Sequence, residues 1–246
     1  MYGLKQAGRE WNKELDMKLR KHKFCHLRSD PCAYIHKGED DFEIITVWVD
    51  DLMLFASSVE LIQQMKTDLQ SEWEMTDLGE PAKIVGIEIT RADGKITIAQ
   101  KKYVENILKR EGMEDANHVA MPMDPNIKLQ LNPDGNEGNR SNSFAKLLGE
   151  LRFLANTTRP DIAYAINRLA AYTANPSLQH STALKRILRY LKGTKDYGIT
   201  YQKNLTDQPN PNSFYGFTDA AYANTDDLKS MSGYVFISAG GAIMWR

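Results

Sequence analysis

Apolar residues recur at helical spacing in "REWNKELDMKLRKHKF", which sets Trp11, Leu15 and Leu19 near one face and predicts an amphipathic helix. From Phe42 the period drops to two. "FEIITVWVDDLMLFAS" alternates, meets two adjacent carboxylates and resumes as an apolar run, predicting a hairpin over about 42–56 with Asp50-Asp51 at its tip. Helical spacing returns in "VELIQQMKTDLQSEWEM", where Leu61, Met65, Leu69 and Trp73 step by four. "KIVGIEITRADGKITIA" predicts a second hairpin, with Asp93-Gly94 supplying the positive-φ turn that such loops favour. Helix, hairpin, helix, hairpin reads as an α+β layer.

A helix near 100–111 is expected to end at Gly112. The stretch from about 113 to 141 is rich in Asn, Asp, Gly and Pro and predicts a boundary loop. Three helical patterns follow. Their spines are Phe144, Leu147, Leu148, Leu151 and Leu154; then Ile162, Ala165, Ile166 and Leu169 behind Pro160; then Leu184, Ile187, Leu188 and Leu191 between Pro176 and Gly193. After "QKNLTDQPNPNS" come three β-rich pieces, "FYGFTDA", "SGYVFISA" and "AIMWR", the last ending inside an apolar strand at Arg246.

Composition narrows this only a little. The 246 residues suffice for one large domain or two modest ones, and 42% hydrophobic with 26% charged residues is ordinary for a globular chain. No run of apolar residues is long enough for a membrane span. "MYGLKQAGREW" lacks the apolar stretch of a secretory signal, and Cys25 and Cys32 are too few for a disulfide framework, so an intracellular setting is expected. A net charge of −1 advertises no polyanionic partner. Locally, however, Lys185, Arg186, Arg189 and Lys192 gather on the last helix, either as a solvated face or as contacts to a nucleic-acid backbone.

Two aspartates at a hairpin tip are either an exposed acidic turn or a seat for a hard divalent cation, which prefers carboxylate oxygens. Two-metal phosphoryl transfer needs several such groups to hold ions about 4 Å apart. The spacings of His22, Cys25, His26, Cys32 and His36 fit neither a zinc knuckle nor a finger.

The blocks "YGLKQAGREW", "SDPCAY", "VWVDDLMLFA", "MTDLGEPAKIVGIEI", "TRPDIAYAINRLA", "HSTALKRILRYLKGT" and "GFTDAAYANTDDLKSMSGYVF" resemble, in order and across nearly the whole chain, the reverse transcriptase and the start of the ribonuclease H of copia-type retrotransposon polyproteins. The resemblance implies a partial palm over about 1–99, a helical thumb and connection over about 100–205, and a truncated ribonuclease H-like sheet over about 213–246. It makes Asp50 and Asp51 palm carboxylates for Mg²⁺, Gln6 a residue of the nucleotide and template pocket, and Gly86 the centre of the primer grip. Asp219 matches the first metal-binding aspartate of ribonuclease H. Gly8 replaces a usual proline, Trp48 a tyrosine, Ala221 an acidic residue and Leu228 an arginine. In this family the third polymerase carboxylate lies before the "YGLKQA" block, and Asp16, Asp30, Asp40 and Asp41 are not in its motif. The chain also stops before the remaining ribonuclease H carboxylates. The expected protein is therefore catalytically incomplete, holding Mg²⁺ weakly and at most binding an RNA/DNA duplex without sequence preference. Exposed sheet edges favour self-association.

A second, shorter resemblance gives an alternative. Arg186-Ile187-Leu188-Arg189 is an R-x-L-R tetrapeptide, similar to the translocation motif of oomycete secreted effectors, carried by Arg186, Leu188 and Arg189. It implies a secreted protein delivered into plant cells, with host proteins as partners. The helical period conflicts with it, because Ile187 and Leu188 are then core and the arginines exposed.

Overall fold

Leu15 and Leu19 fall one turn apart and are both fully buried, which is why the first helix, α1 (Ala7–Lys21), forms where its spacing predicts. A computed structural model describes residues 4–132, 141–202, 214–222 and 230–246. After α1 come β1 (Cys25–His26), β2 (Ala33–Lys37), β3 (Phe42–Trp48), β4 (Asp51–Ala56) and α2 (Val59–Glu72). The strands form one antiparallel sheet in chain order. Helix α2 starts at Ser58, whose hydroxyl accepts the Leu61 N–H at 3.3 Å, an N-cap worth about 1 kcal/mol. Leu15, Leu19, Phe24, Tyr34, Ile45, Met65 and Leu69 make the core of this layer. Strands β1 and β2 were not predicted. The run "AYIHK" is short and half polar, yet Tyr34 lies directly opposite Ile45, and both are buried.

The remaining elements are β5 (Lys83–Ile84), β6 (Ile87–Ala92), β7 (Lys95–Ala99), α3 (Lys101–Arg110), α4 (Ser141–Thr157), a 3-10 turn (Pro160–Ile162), α5 (Ala163–Ala170), α6 (Leu178–Gly193), β8 (Gly198–Gln202), β9 (Tyr215–Ala221), β10 (Met231–Ser238) and β11 (Gly241–Trp245). Two antiparallel sheets result, ordered β5-β6-β7-β8 and β11-β10-β9. The predicted hairpin at 83–99 is a three-stranded meander, because Val85-Gly86 makes a further two-residue turn. Helix α3 ends as expected at Gly112 (φ 63°), with Met113 N–H returned to the Leu108 carbonyl at 2.8 Å and Gly112 N–H to Lys109 at 3.1 Å. The α-helical core joins Val104, Ile107 and Leu108 to the three predicted spines.

The chain divides into two compact units, Met1–Gly79 and Glu80–Arg246. The division expected near residue 99 does not coincide with this one. Strand β7 pairs with β8 over Lys95↔Gln202 to Ala99↔Gly198, so the meander belongs with the helices that follow it.

The polar stretch after Gly112 is not a boundary either, as far as it is described. Residues 113–132 run along α6 as a strap. Arg189 donates to the Asn117 carbonyl (2.7 Å), Arg186 to Met121 (3.3 Å), Gln179 to Lys128 (2.9 Å) and the Tyr172 hydroxyl to Leu129 (2.9 Å). Leu129 is buried, and Met113, Val119 and Met123 pack against the helical core. Gly193 has no side chain for a reason: a Cβ there would lie 3.0 Å from the His118 Cβ. Polar composition signals exposure, but the strap's carbonyls are met by side chains that composition cannot reveal.

Candidate functional site

Trp48 pairs with Asp51 across β3 and β4, so the loop is Val49-Asp50. Only one of the two aspartates is in the turn; Asp51 begins β4, a correction to the predicted tip. Val49 has φ 57°, a left-handed conformation in which a β-branched residue is an outlier and costs about 1–3 kcal/mol. No packing offsets that cost, for Val49 is 68% exposed. Instead the Trp11 indole N–H donates to the Val49 carbonyl at 3.0 Å. Trp11 meets Trp73 edge-on, ring centroids 6.0 Å apart. Lys18 sits 4.4 Å above the Trp73 ring and donates to the Glu72 carbonyl at 2.9 Å. The tip is thus tied through α1 to the end of α2.

Asp50 and Asp51 are exposed, and Trp48 beside them is 58% exposed. Among the described residues, no three His, Cys, Asp or Glu side chains come together in a way that could hold a metal ion. Gln6 immediately precedes α1; its side chain caps nothing, while its carbonyl accepts the Glu10 N–H at 3.1 Å. Gly8 falls in the first turn of that helix. Gly86 (φ 79°) follows Val85 (φ 48°) in a type I′-like turn, where glycine is the residue that adopts positive φ without strain.

Asp219 belongs to the other unit. It is exposed on β9, opposite Gly233, and its carboxylate accepts the Ala220 N–H at 2.9 Å. Leu228 lies outside the described residues. On α6 the predicted basic face divides. Lys185 is exposed and Lys192 half-buried. Arg186 and Arg189 are also only half-exposed and serve the strap, with Asp124 3.9 Å from Arg186, so the expectation of two free arginines is corrected. Ile187 and Leu188 are buried as predicted, which puts the R-x-L-R tetrapeptide in mid-helix with its centre in the core.

The sequence reading missed Arg159, 2% exposed. It bonds Asp161 through Nε (2.9 Å) and Nη2 (2.7 Å), and the Thr194 carbonyl through Nη1 (2.9 Å). The Tyr190 hydroxyl also donates to Asp161 at 2.8 Å, and burial first, Asp161 second, push that phenol up to about 12. This network closes the C-terminus of α6 onto the 3-10 turn. Only an Arg-Pro-Asp run at a helix start signalled it.

The family described as reverse transcriptase (RNA-dependent DNA polymerase) matches residues 1–125. The retrovirus-related Pol polyprotein from transposon TNT 1-94 of Nicotiana tabacum is 34% identical over all of this chain, which spans 19% of that protein's length. The putative transposon Ty5-1 protein of Saccharomyces cerevisiae is 30% identical over the whole chain and is itself 78% covered. Secreted RxLR effector protein 161 of Plasmopara viticola is 35% identical over 104 residues, 42% of this chain and 70% of that protein. No solved structure matches.

Proposed function

Because the chain belongs to the reverse transcriptase (RNA-dependent DNA polymerase) family, as found in copia-type Pol polyproteins, we propose that its first unit presents the carboxylate tip of an RNA-directed DNA polymerase. The observation that carries this is the braced Val49-Asp50 turn, which projects Asp50 and Asp51 into solvent. Two adjacent carboxylates suit a hard divalent cation such as Mg²⁺, whose remaining positions take water or phosphate oxygens. Such an ion, when bound, neutralises charge developing on a transferring phosphoryl group. The protein's own part is to hold the two carboxylates at a fixed tip, with Trp48 alongside and Gln6 heading the helix that braces it.

Two carboxylates at the tip suit one weakly held cation rather than a pair, and primer extension by this chain alone is not expected. In the second unit, residues 100–205 act as thumb and connection. Lys185 and Lys192 give weak, salt-sensitive, sequence-independent contact with an RNA/DNA duplex, and Gly86 turns the primer-grip strand. Asp219 marks the ribonuclease H-like sheet. Among the described strands, the β4 edge of the first sheet offers a route to self-association inside the cell.

The test is paramagnetic relaxation by Mn²⁺. Amides of residues 49–52 should broaden, and Asp50→Asn with Asp51→Asn should abolish this; no broadening at the tip overturns the cation role. Template-dependent extension by this chain that disappears in Asp50→Ala would overturn the expectation of a single weakly held cation. The partial similarity to the Plasmopara protein supports a second reading, a secreted effector acting on plant host proteins, which requires uptake into plant cells that depends on both Arg186 and Arg189.

A further inference from the structure

We infer that Trp11 is the positioning residue of the carboxylate tip: its indole N–H, donated to the Val49 carbonyl, holds the left-handed turn that sets the direction of Asp50. The inference rests on the tip being the cation-holding element proposed above. A two-residue hairpin loop normally reaches positive φ with Gly, Asn or Asp, and this one does so with valine. Such a conformation persists only when its surroundings over-determine it. Local packing does not do so, because Trp48 and Val49 are both mostly exposed. What remains is the 3.0 Å bond from α1, which spans 38 residues of sequence and ends on the carbonyl of the strained residue itself.

The donor is in turn fixed. Trp11 lies one helical turn before Leu15, which is fully buried, so the α1 backbone cannot swing the indole away. Its ring meets Trp73 edge-on, and Trp73 carries the Lys18 ammonium over its face. Lys21 and Lys18 also pair with Glu72 (2.6 and 4.0 Å), locking the end of α2 to α1. Without the indole N–H, Val49 relaxes toward negative φ, the loop changes type, and the direction of Asp50 is no longer fixed.

Trp11→Phe keeps a ring against Trp73 and deletes only the donor. We expect it to leave the unfolding midpoint of the first unit nearly unchanged. Mn²⁺ affinity at residues 49–52 should fall about tenfold or more, the usual effect of losing a group that orients a metal ligand. Restoring a permissive turn in the same background, Trp11→Phe with Val49→Gly, should not recover the affinity, since glycine removes strain without fixing direction. Undiminished Mn²⁺ binding in Trp11→Phe overturns the inference while leaving the cation role intact. If the wild-type tip takes up no Mn²⁺, the cation role falls, and unchanged tip amide shifts in Trp11→Phe then overturn the brace as well.

Discussion

Ile187 is fully buried on α6, while Arg189, two positions on, leaves the core and donates to the carbonyl of Asn117. Substituting each should separate packing from strapping. Ile187→Asp places an unpaired charge in the core and should cost about 3 kcal/mol or more in urea unfolding. Arg189→Ala should cost about 1 kcal/mol, the net worth of one such bond, and should speed hydrogen exchange at 115–124 while the α6 amides hold. Equal losses in the two variants would refute the division of labour. At this scale the sequence was informative wherever a side chain's fate follows from periodicity, as for Ile187 and Leu188. It was silent for Arg186, Arg189 and Trp11, whose partners are carbonyls 65, 72 and 38 residues away.

Turns show the same contrast between elements. Asp93-Gly94 was legible because both residues tolerate positive φ, and both adopt it. Val85-Gly86 and Val49-Asp50 were not, since no local preference puts valine there. These two valines should respond differently to relief. Among the described residues no side chain bonds to the Val85-Gly86 turn, so Val85→Asn should stabilise the protein by about 1 kcal/mol. That raises the midpoint of the second unit by about 2–4 °C in a thermal melt. A lowered midpoint would mean that the half-buried valine packs for more than its strain costs. The meander's third strand, the β1–β2 pair and the strap were hidden for a related reason: each is stabilised by pairing across the fold rather than by its own composition.

The molecule as a whole has two cores of unequal size, a cluster of seven buried residues in the first unit against the larger helical cluster of the second. Thermal unfolding should therefore show two transitions, the smaller unit melting first. Acid should separate them further. His180 is completely buried and stacked on Tyr172 at 4.0 Å; burial holds its ring below the ordinary 6.5, although the Gln130 carbonyl pulls it partly back. The unfolded chain takes up that proton near 6.5, so stability is complete above this pH and is lost as pH falls toward the folded value. In the first unit, Glu72 is held below 4.5, chiefly by its bond from Lys21, and the matching loss begins only below 4.5. Between these limits the second transition should move and the first should not. His180→Phe should flatten the shift; a second-unit midpoint that ignores pH in the wild type would contradict the assignment.

The brace at the tip has an optical consequence. Of four tryptophans, Trp11, Trp48 and Trp73 lie in the first unit and only Trp245, bonded to the Ala155 carbonyl at 2.7 Å, in the second. Intrinsic fluorescence is therefore weighted toward the unit that carries the carboxylates, and the solvent-facing Trp48, next to the turn, is the indole most open to collisional quenching. A paramagnetic ion such as Mn²⁺, or a nucleotide base, arriving at Asp50 would dim the protein's own emission without any attached dye.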